Sequence, residues 1–392
     1  MPDGDPSAPA PGHVRAILAT MTEPATTGLR LGGSYLPVLD RARIYCCGIT
    51  PYDVTHLGHA ATFVWVDVLT RVLGLVGVTT QLCRNVTDVD DVLFAAAQRS
   101  GSAYDAFASV QQFRFDQDMT ALGVREPQFA PRARRNVPQV IRLAAALLEA
   151  DAAYLRDGSV YFRGVGVAED AGLRRDEAEA LAAEYGARLD DPAKDDKLDV
   201  AVWRRSAADE PGWPSPWGNG RPGWHAECAA MAMSVFGPAV DIHAGGADLR
   251  FPHHAYHAAM AEAFTGVRPY ARAWLHAGTV TIGGAKMAKS AGNLVLLEEL
   301  LAGHPAAAVR LMILDRPWAE SWDYRPELLD VAEARLEDLY QAAGRTAASD
   351  PAAVDEMRRL LATELDVPAA LDLAIGTGGG PARTLASVLG LT

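Results

Sequence analysis

His56 and His59 flank Leu57 and Gly58 where a predicted strand, Arg43 to Ile49, gives way to a predicted helix starting near Ala60. A helix start has free N–H groups and the positive end of the dipole, so this turn suits a phosphate. Gly58 lets the backbone approach a ligand closely. Much later, Gly283-Gly284 opens a loop carrying Lys286-Met287-Ala288-Lys289-Ser290, whose two ammonium groups could neutralise phosphate charge. Cys47 precedes the histidine turn, at the carboxyl end of its strand, where open α/β sheets bind ligands. Cys47, Cys228, His253 and His257 are zinc candidates, since zinc prefers thiolate and imidazole in a tetrahedral set. His253 and His257 are i,i+4 on a predicted helix and face the same way. Composition alone leaves another reading open, in which the cysteines are small buried hydrophobes and the histidines lie at the surface. Cys46 neighbours a candidate ligand on a strand and so points to the opposite face. Cys83 has no motif around it and reads as core.

The elements that must hold these residues follow from periodicity. Ala60 to Val76 is helical, Thr79 to Asn85 a strand, and Val89 to Gln98 and Ala103 to Leu122 are helices. Strand, helix, strand is the first half of a doubly wound sheet. From about Pro127 the pattern changes: a helix over Val137 to Ala152, a short strand over Ser159 to Gly164, a helix over Arg174 to Tyr185, then the acid-rich Asp190 to Asp199. Pro211 to Pro222, rich in proline and glycine, is a loop. Trp224 to Phe236 is helical, Val240 to His243 a strand, Pro252 to Phe264 a helix, and Ala273 to Ile282 a strand. Helices resume over Leu296–Ala302 and Pro305–Leu314. They continue over Pro326 to Ala343 and Ala352 to Leu365, with a short one after the glycine cluster Gly376 to Gly380.

The implied class is α/β: a doubly wound, Rossmann-like parallel sheet with an α-rich insert and a C-terminal helical domain. Its parts are a flexible tail (1–30), a first half-domain (31–126), an insert (127–200) and a second half-domain (201–275). A lysine-loop region (276–325) and a short helical domain (326–392) follow.

The 392 residues, 49% hydrophobic and 22% charged, suffice for two or three domains. A net charge of −13 makes a poor generic nucleic-acid binder. Four cysteines are too few for a disulfide scaffold and read as reduced thiols. No apolar run is long enough to span a membrane, and the Pro- and Ala-rich start lacks the basic, apolar pattern of a signal peptide. A cytoplasmic, monomeric protein is expected.

His56-Leu57-Gly58-His59 with Lys286-Met287-Ala288-Lys289-Ser290 resembles the HIGH and KMSKS motifs of class I aminoacyl-tRNA synthetases. CGITPYD, RNVTDVDD, RPGWHAEC and FPHH narrow the resemblance to the cysteinyl branch. It implies ATP, with magnesium, and L-cysteine as substrates. The cysteine carboxylate would attack the α-phosphate, with His56 and His59 donating to its oxygens and Lys286 and Lys289 neutralising the leaving pyrophosphate. Similar enzymes place zinc on the residues matching Cys47, Cys228 and His253, where it binds the substrate thiolate and rejects serine. A glutamate stands at the place of His257 in those enzymes, and Ala255 replaces another of their acids. Trp224, Thr87 and His243 match positions that close around the cysteine, and Gly245, Gly246 and Asp248 a segment against the adenosine. Gly48, Ile49, Thr50, Thr62, Asn85 and Val280 match further positions of the same cleft.

The region after the lysine loop is short and holds arginines but no lysine from Arg325 to Thr392. That is similar to the cysteine ligases of the mycothiol pathway, which lack an anticodon-reading domain. This implies an amino-sugar acceptor, glucosaminyl-inositol, and no nucleic acid. The sequence departs from that group at Glu184 to Leu189, where an ERGGDP segment is usual, and at His243, where glutamine is usual. A paralogue cysteinylating another amine or a carrier protein, a short cysteinyl-tRNA synthetase, and an inactive cysteine-binding relative stay open.

Overall fold

A computed structural model describes residues 28–38, 40–52, 54–208, 210–287, 292–346 and 350–392. Its centre is a parallel sheet. After a short hairpin of β1 (Gly28–Leu31) and β2 (Ser34–Pro37), the chain enters β3 (Arg41–Ile49), α1 (Leu57–Leu75) and β4 (Thr79–Val86). Helices α2 (Asp91–Ser100) and α3 (Tyr104–Ala121) follow. Residues 28–30, grouped with the tail by sequence, are therefore in a strand; 1–27 lie outside the described residues.

Helix α4 (Val137–Glu149) opens the insert, with β5 (Ala153–Arg156), β6 (Ser159–Phe162), the single turn α5 (Val167–Asp170), α6 (Arg175–Glu184), β7 (Val200–Arg205) and β8 (Gly220–Pro222). These four strands pair antiparallel in the order β5-β6-β7-β8. The pairing carries the insert past residue 200, because β7 begins there and β8 lies inside the stretch expected to be loop.

The chain then returns to the main sheet through α7 (Trp224–Phe236), β9 (Val240–Gly246), α8 (Ala255–Thr265) and β10 (Ala271–Ala277). The order is β10-β9-β3-β4, all parallel. The predicted strand over 273–282 is divided into β10 and β11 (Val280–Ile282). β11 pairs with β12 (Ala285–Lys286) and with β13 (Trp322–Asp323), and α9 (Leu297–Gly303) and α10 (Ala306–Leu314) intervene. The C-terminal helices are α11 (Glu327–Ala343), α12 (Pro351–Ala362), α13 (Val367–Thr377) and α14 (Gly379–Leu389).

Alternation along β3 decides what each face carries. Ile44 and Cys46 enter one core with α1, α10 and the C-terminal helices. Tyr45 and Cys47 enter the other, under α7. Cys46 thus points away from Cys47, as its strand position requires, and Cys83 is buried core. Helix α7 is apolar nearly all round because it is covered on two sides. Its Cys228, Met231 and Ala232 face the sheet, and Ala226, Ala229 and Ala230 face the insert.

The C-terminal helices share the core of the sheet through a buried ion pair. Arg310 on α10 bonds Asp67 on α1, and both are buried. Arg71 and Arg125 reach the same carboxylate at 2.7 and 3.0 Å, and Arg310 also donates to Leu122 O at 3.1 Å. Burial would raise the Asp67 carboxyl pKa, but Arg310 and Arg71 hold it below the usual range.

Candidate active site

The site lies at the carboxyl ends of β3 and β9, the crevice an open parallel sheet offers to ligands. β4 can lie close against the end of β3 because residue 48 is glycine: a Cβ there would stand 1.7 Å from Asn85 O. Gly48 N–H instead donates to the Asn85 side chain at 3.0 Å, and Asn85 Nδ2 donates to Cys228 Sγ at 3.5 Å. Thr50 and Thr87 share a hydroxyl hydrogen bond of 2.8 Å, and Thr87 also donates to Ile49 O. Gly48, Ile49, Thr50, Asn85 and Thr87 are thereby one connected rim.

His56 is the N-cap of α1, its Nδ1 accepting from Gly58 N–H at 3.2 Å. His59 stacks on it with ring centres 3.8 Å apart. Burial, then the neighbouring His56, pushes the His59 pKa down to about 3, so His59 is a neutral donor and not a cation. Leu57 N–H donates to Val295 O at 2.9 Å. With Gly58 also engaged, the helix start has fewer free donors than the turn alone suggests.

The same contacts bring the lysine loop to the histidine turn. His56 bridges Leu296, and Leu297 N–H donates to Thr55 O at 3.1 Å. A Cβ on Gly58 would meet the His56 ring at 3.1 Å and Met287 Cε at 3.4 Å. Asp323 holds the loop's base, accepting from the Thr281 hydroxyl and from Gly284 N–H at 2.9 Å each. Lys286 Nζ reaches Asp248 at 3.0 Å and Tyr185 Oη at 3.2 Å. Burial would lower the Lys286 pKa, but Asp248 and Tyr185 raise it on balance. Lys289 lies outside the described residues. Gly245 and Gly246 end β9, with Ala247 between them and Asp248, Val280 is buried at the start of β11, and Thr62 donates to Gly58 O at 3.4 Å.

Beneath this rim is a cluster of buried sulfur and imidazole. The ligand atoms of Cys47, Cys228 and His253 all lie within 4.8 Å of one another. Cys228 Sγ is 3.3 Å from His253 Nε2. Trp224 stacks on the His253 ring at 4.1 Å, and His225 Nδ1 meets His253 Nδ1 at 2.9 Å, which orients Nε2 toward the sulfur. His257 joins a second group, with Cys47 and His243, also within 4.8 Å. It is not within that distance of every member of the first group. Burial, then Cys228, pushes the Cys47 thiol up, and burial pushes His253 and His243 down. The ring nitrogens of His257 and Nδ1 of His243 are enclosed without a hydrogen-bond partner among the described residues. Buried groups of this kind normally have one, so the residues fit a soft or borderline cation.

Several contacting residues carried little signal in the sequence. His225 and His254 stand beside Trp224 and His253 in the motif words, and His276 ends β10. His254 Nδ1 is 2.9 Å from His276 Nε2, forming the outer edge of the cluster. Tyr185 reaches Lys286 from the insert and had no local signal at all.

Residues 37–334 match the family described as tRNA synthetases class I (C) catalytic domain. The chain belongs to that family. It is 42% identical over 339 residues to a protein of Mycolicibacterium smegmatis, covering 84% of this chain and 82% of the relative. It is 43% identical over 337 residues to one of Acidothermus cellulolyticus, covering 85% and 83%. Both are named L-cysteine:1D-myo-inositol 2-amino-2-deoxy-alpha-D-glucopyranoside ligase, so this family member is an ATP-dependent ligase of the group the motif words resemble. The fold is similar to that of methionyl-tRNA synthetase of Mycobacterium tuberculosis in complex with methionyl-adenylate. That match has a TM-score of 0.63 and 15% identity, over 90% of this chain and 82% of that one. A second structure of the enzyme, bound by methionyl-adenylate, gives 0.64 and 16%, over 89% and 84%. Among the described residues no helix is long and apolar enough to cross a membrane.

Proposed function

We propose that the protein activates L-cysteine with ATP and transfers it to the amine of glucosaminyl-inositol, the reaction its relatives' names describe. The observation that carries this reading is the convergence of Cys47, Cys228 and His253 at the carboxyl end of β3, the strand that leads into the His56–His59 turn. These three residues would hold zinc, which binds the substrate sulfur as a thiolate and discriminates against the hydroxyl of serine. His257 remains available as a further ligand from α8. Magnesium would accompany the triphosphate.

In the first step a cysteine carboxylate oxygen bonds the α-phosphorus and the bond to the β-phosphate oxygen breaks, releasing pyrophosphate. His56 and His59 donate hydrogen bonds to the α-phosphate oxygens. Lys286 and Lys289 neutralise the leaving group. Lys286 exchanges its Asp248 partner for phosphate as ATP enters. The Gly48–Asn85 and Thr50–Thr87 rim, with Trp224 and His243, encloses the amino acid, and Gly245, Gly246, Asp248, Thr62 and Val280 line the nucleotide side. In the second step the acceptor amine attacks the acyl carbon, AMP leaves, and the amine gives up a proton.

The test is to mix protein, ATP, cysteine and glucosaminyl-inositol. AMP release that depends on the amino sugar, with a new amide product, is the expected result. AMP formation no faster than without the sugar would reject this acceptor.

A further inference from the structure

β10 is the edge of the main sheet opposite β4, and a cavity of about 670 Å3 lies against it. Its walls come from that edge, from α8, from the end of α5, from the β1–β2 turn and from Trp318. Cys47, Cys228, His243, His253 and His257 are not among the described residues that line it, so it is separate from the sulfur and imidazole site. It nonetheless adjoins the reaction at two points. Ala247, one of its lining residues, stands between Gly246 and Asp248 on the nucleotide side. His254, another, has its ring 4.1 Å from that of His243 and so divides the cavity from the cysteine pocket.

The volume falls within the roughly 300–1,000 Å3 of small-molecule sites. Along α8 the lining runs from Ala255 to Glu262, two turns, which is roughly 10 Å of helix axis. That is about the span of two linked six-membered rings. The chemistry of the wall differs from end to end. Arg250 and His276 stand at the end next to Ala247. At the other end Arg268 holds the carboxylates of Asp170 and Glu262 at 3.9 and 2.9 Å. Trp274, half-buried, and Trp318, buried, add indole surface to the wall. Indole faces suit the C–H side of a sugar ring, and carboxylate oxygens accept from neighbouring hydroxyls. The Arg250 guanidinium disfavours the ammonium form of an amine beside it, and only the free amine is a nucleophile.

We propose that this cavity is the acceptor subsite, shaped for a polyhydroxylated amine of two linked rings. The inositol ring places its hydroxyls toward Asp170 and Glu262, the amino-sugar ring lies against the indoles, and the amine sits at the Ala247 end, facing the acyl carbon of the adenylate. The bond changes are those of the second step above; the cavity supplies binding and orientation. The inference rests on the proposed reading for the identity of the acceptor.

The test compares wild type with Arg250→Gln, Asp170→Asn and Ala258→Phe, the last of which fills the cavity from α8. Each is assayed for cysteine-driven ATP–pyrophosphate exchange, which needs no acceptor, and for AMP release against glucosaminyl-inositol concentration. The expected result is exchange like that of wild type, with kcat/KM for the amino sugar lowered about tenfold or more. Intact exchange with an unaltered kcat/KM for the sugar in the variants overturns the subsite and leaves the proposed reading standing. A wild type that exchanges but shows no sugar-dependent AMP release overturns acceptor and subsite together. Loss of exchange along with sugar-dependent release in the variants shows that these residues serve the whole site, and overturns the assignment to the acceptor. Should Ala258→Phe not fold, the two polar variants decide.

Discussion

The ammonium of Lys286 lies 3.0 Å from Asp248 Oδ2, with the Tyr185 hydroxyl 3.2 Å from the same nitrogen. The lysine is thus held by a residue from β9's end and by one from the insert before any nucleotide arrives. Removing the charge and removing the restraint should separate. Lys286→Ala should lower kcat/KM in the activation step by about 100-fold or more, as loss of an electrostatic donor does. Tyr185→Phe keeps the ring but loses the hydroxyl. It should change KM for ATP by no more than about tenfold, with kcat nearly unchanged, since one such hydrogen bond is worth ~1 kcal/mol. Steady-state kinetics of the two variants check this, and a Tyr185→Phe defect confined to kcat would contradict it.

The Arg310–Asp67 pair ties the last helices to the sheet. Arg310→Ala leaves the Asp67 carboxylate buried with only Arg71 and Arg125, and should cost about 3–5 kcal/mol of stability. Urea unfolding measures it. A loss below about 1 kcal/mol, the range of an exposed pair, would mean that the C-terminal helices do not depend on this contact.

Several histidines are kept neutral by burial. His225 and His276 are pushed down to about 4 and His59 to about 3, burial being the first cause in each. An unfolded chain protonates these rings below about pH 6.5, while the folded chain does not until the lower values are reached. The unfolded state therefore binds more protons across that window, and stability must fall as pH falls from about 6.5 toward 4. Thermal melts at pH 7.5, 6.0 and 5.0 should show a progressive drop in Tm; a flat profile would contradict the assigned burial.

How much of this was legible in the sequence follows from the range of each contact. β3, α1 and the paired motifs could be read because their signals are local: strand alternation, a glycine between two histidines, two lysines after two glycines. The ligand candidates could be read because sulfur and imidazole are rare. Three strands of the insert could not. β5 is a four-residue strand carrying Arg156, and β8 is three residues in a stretch dominated by proline and glycine. β7 follows an acidic run and pairs only with segments distant in sequence. The division of histidines was also hidden. The i,i+4 spacing of His253 and His257 suggests one shared ligand set, and the chain between them is helical, its kink lying earlier at Phe251; yet the side chain of His257 falls in with His243 and Cys47. The glycine cluster near the end does mark a break, at Gly378 with φ 72°, but its neighbours lie in the flanking helices.

Gly48 offers a further check on the rim. Gly48→Ala would place a carbon 1.7 Å from Asn85 O and must displace β4 from β3 at the substrate end. Overpacking of this kind costs typically 1–3 kcal/mol. The expected result is lowered stability together with a raised KM for cysteine. Unchanged values of both would show that the Gly48–Asn85 contact does not shape the site.

Cysteine activation turns on a metal-held sulfur beside a polarised triphosphate. Its most direct measurement is ATP–pyrophosphate exchange, driven by cysteine or by serine, in wild type and in Cys228→Ala. The prediction is exchange with cysteine and not with serine, and a Cys228→Ala protein that has lost metal and needs far more cysteine but little more ATP. Equal exchange with serine, or a Cys228→Ala protein whose cysteine requirement and metal content are unaltered, would contradict it.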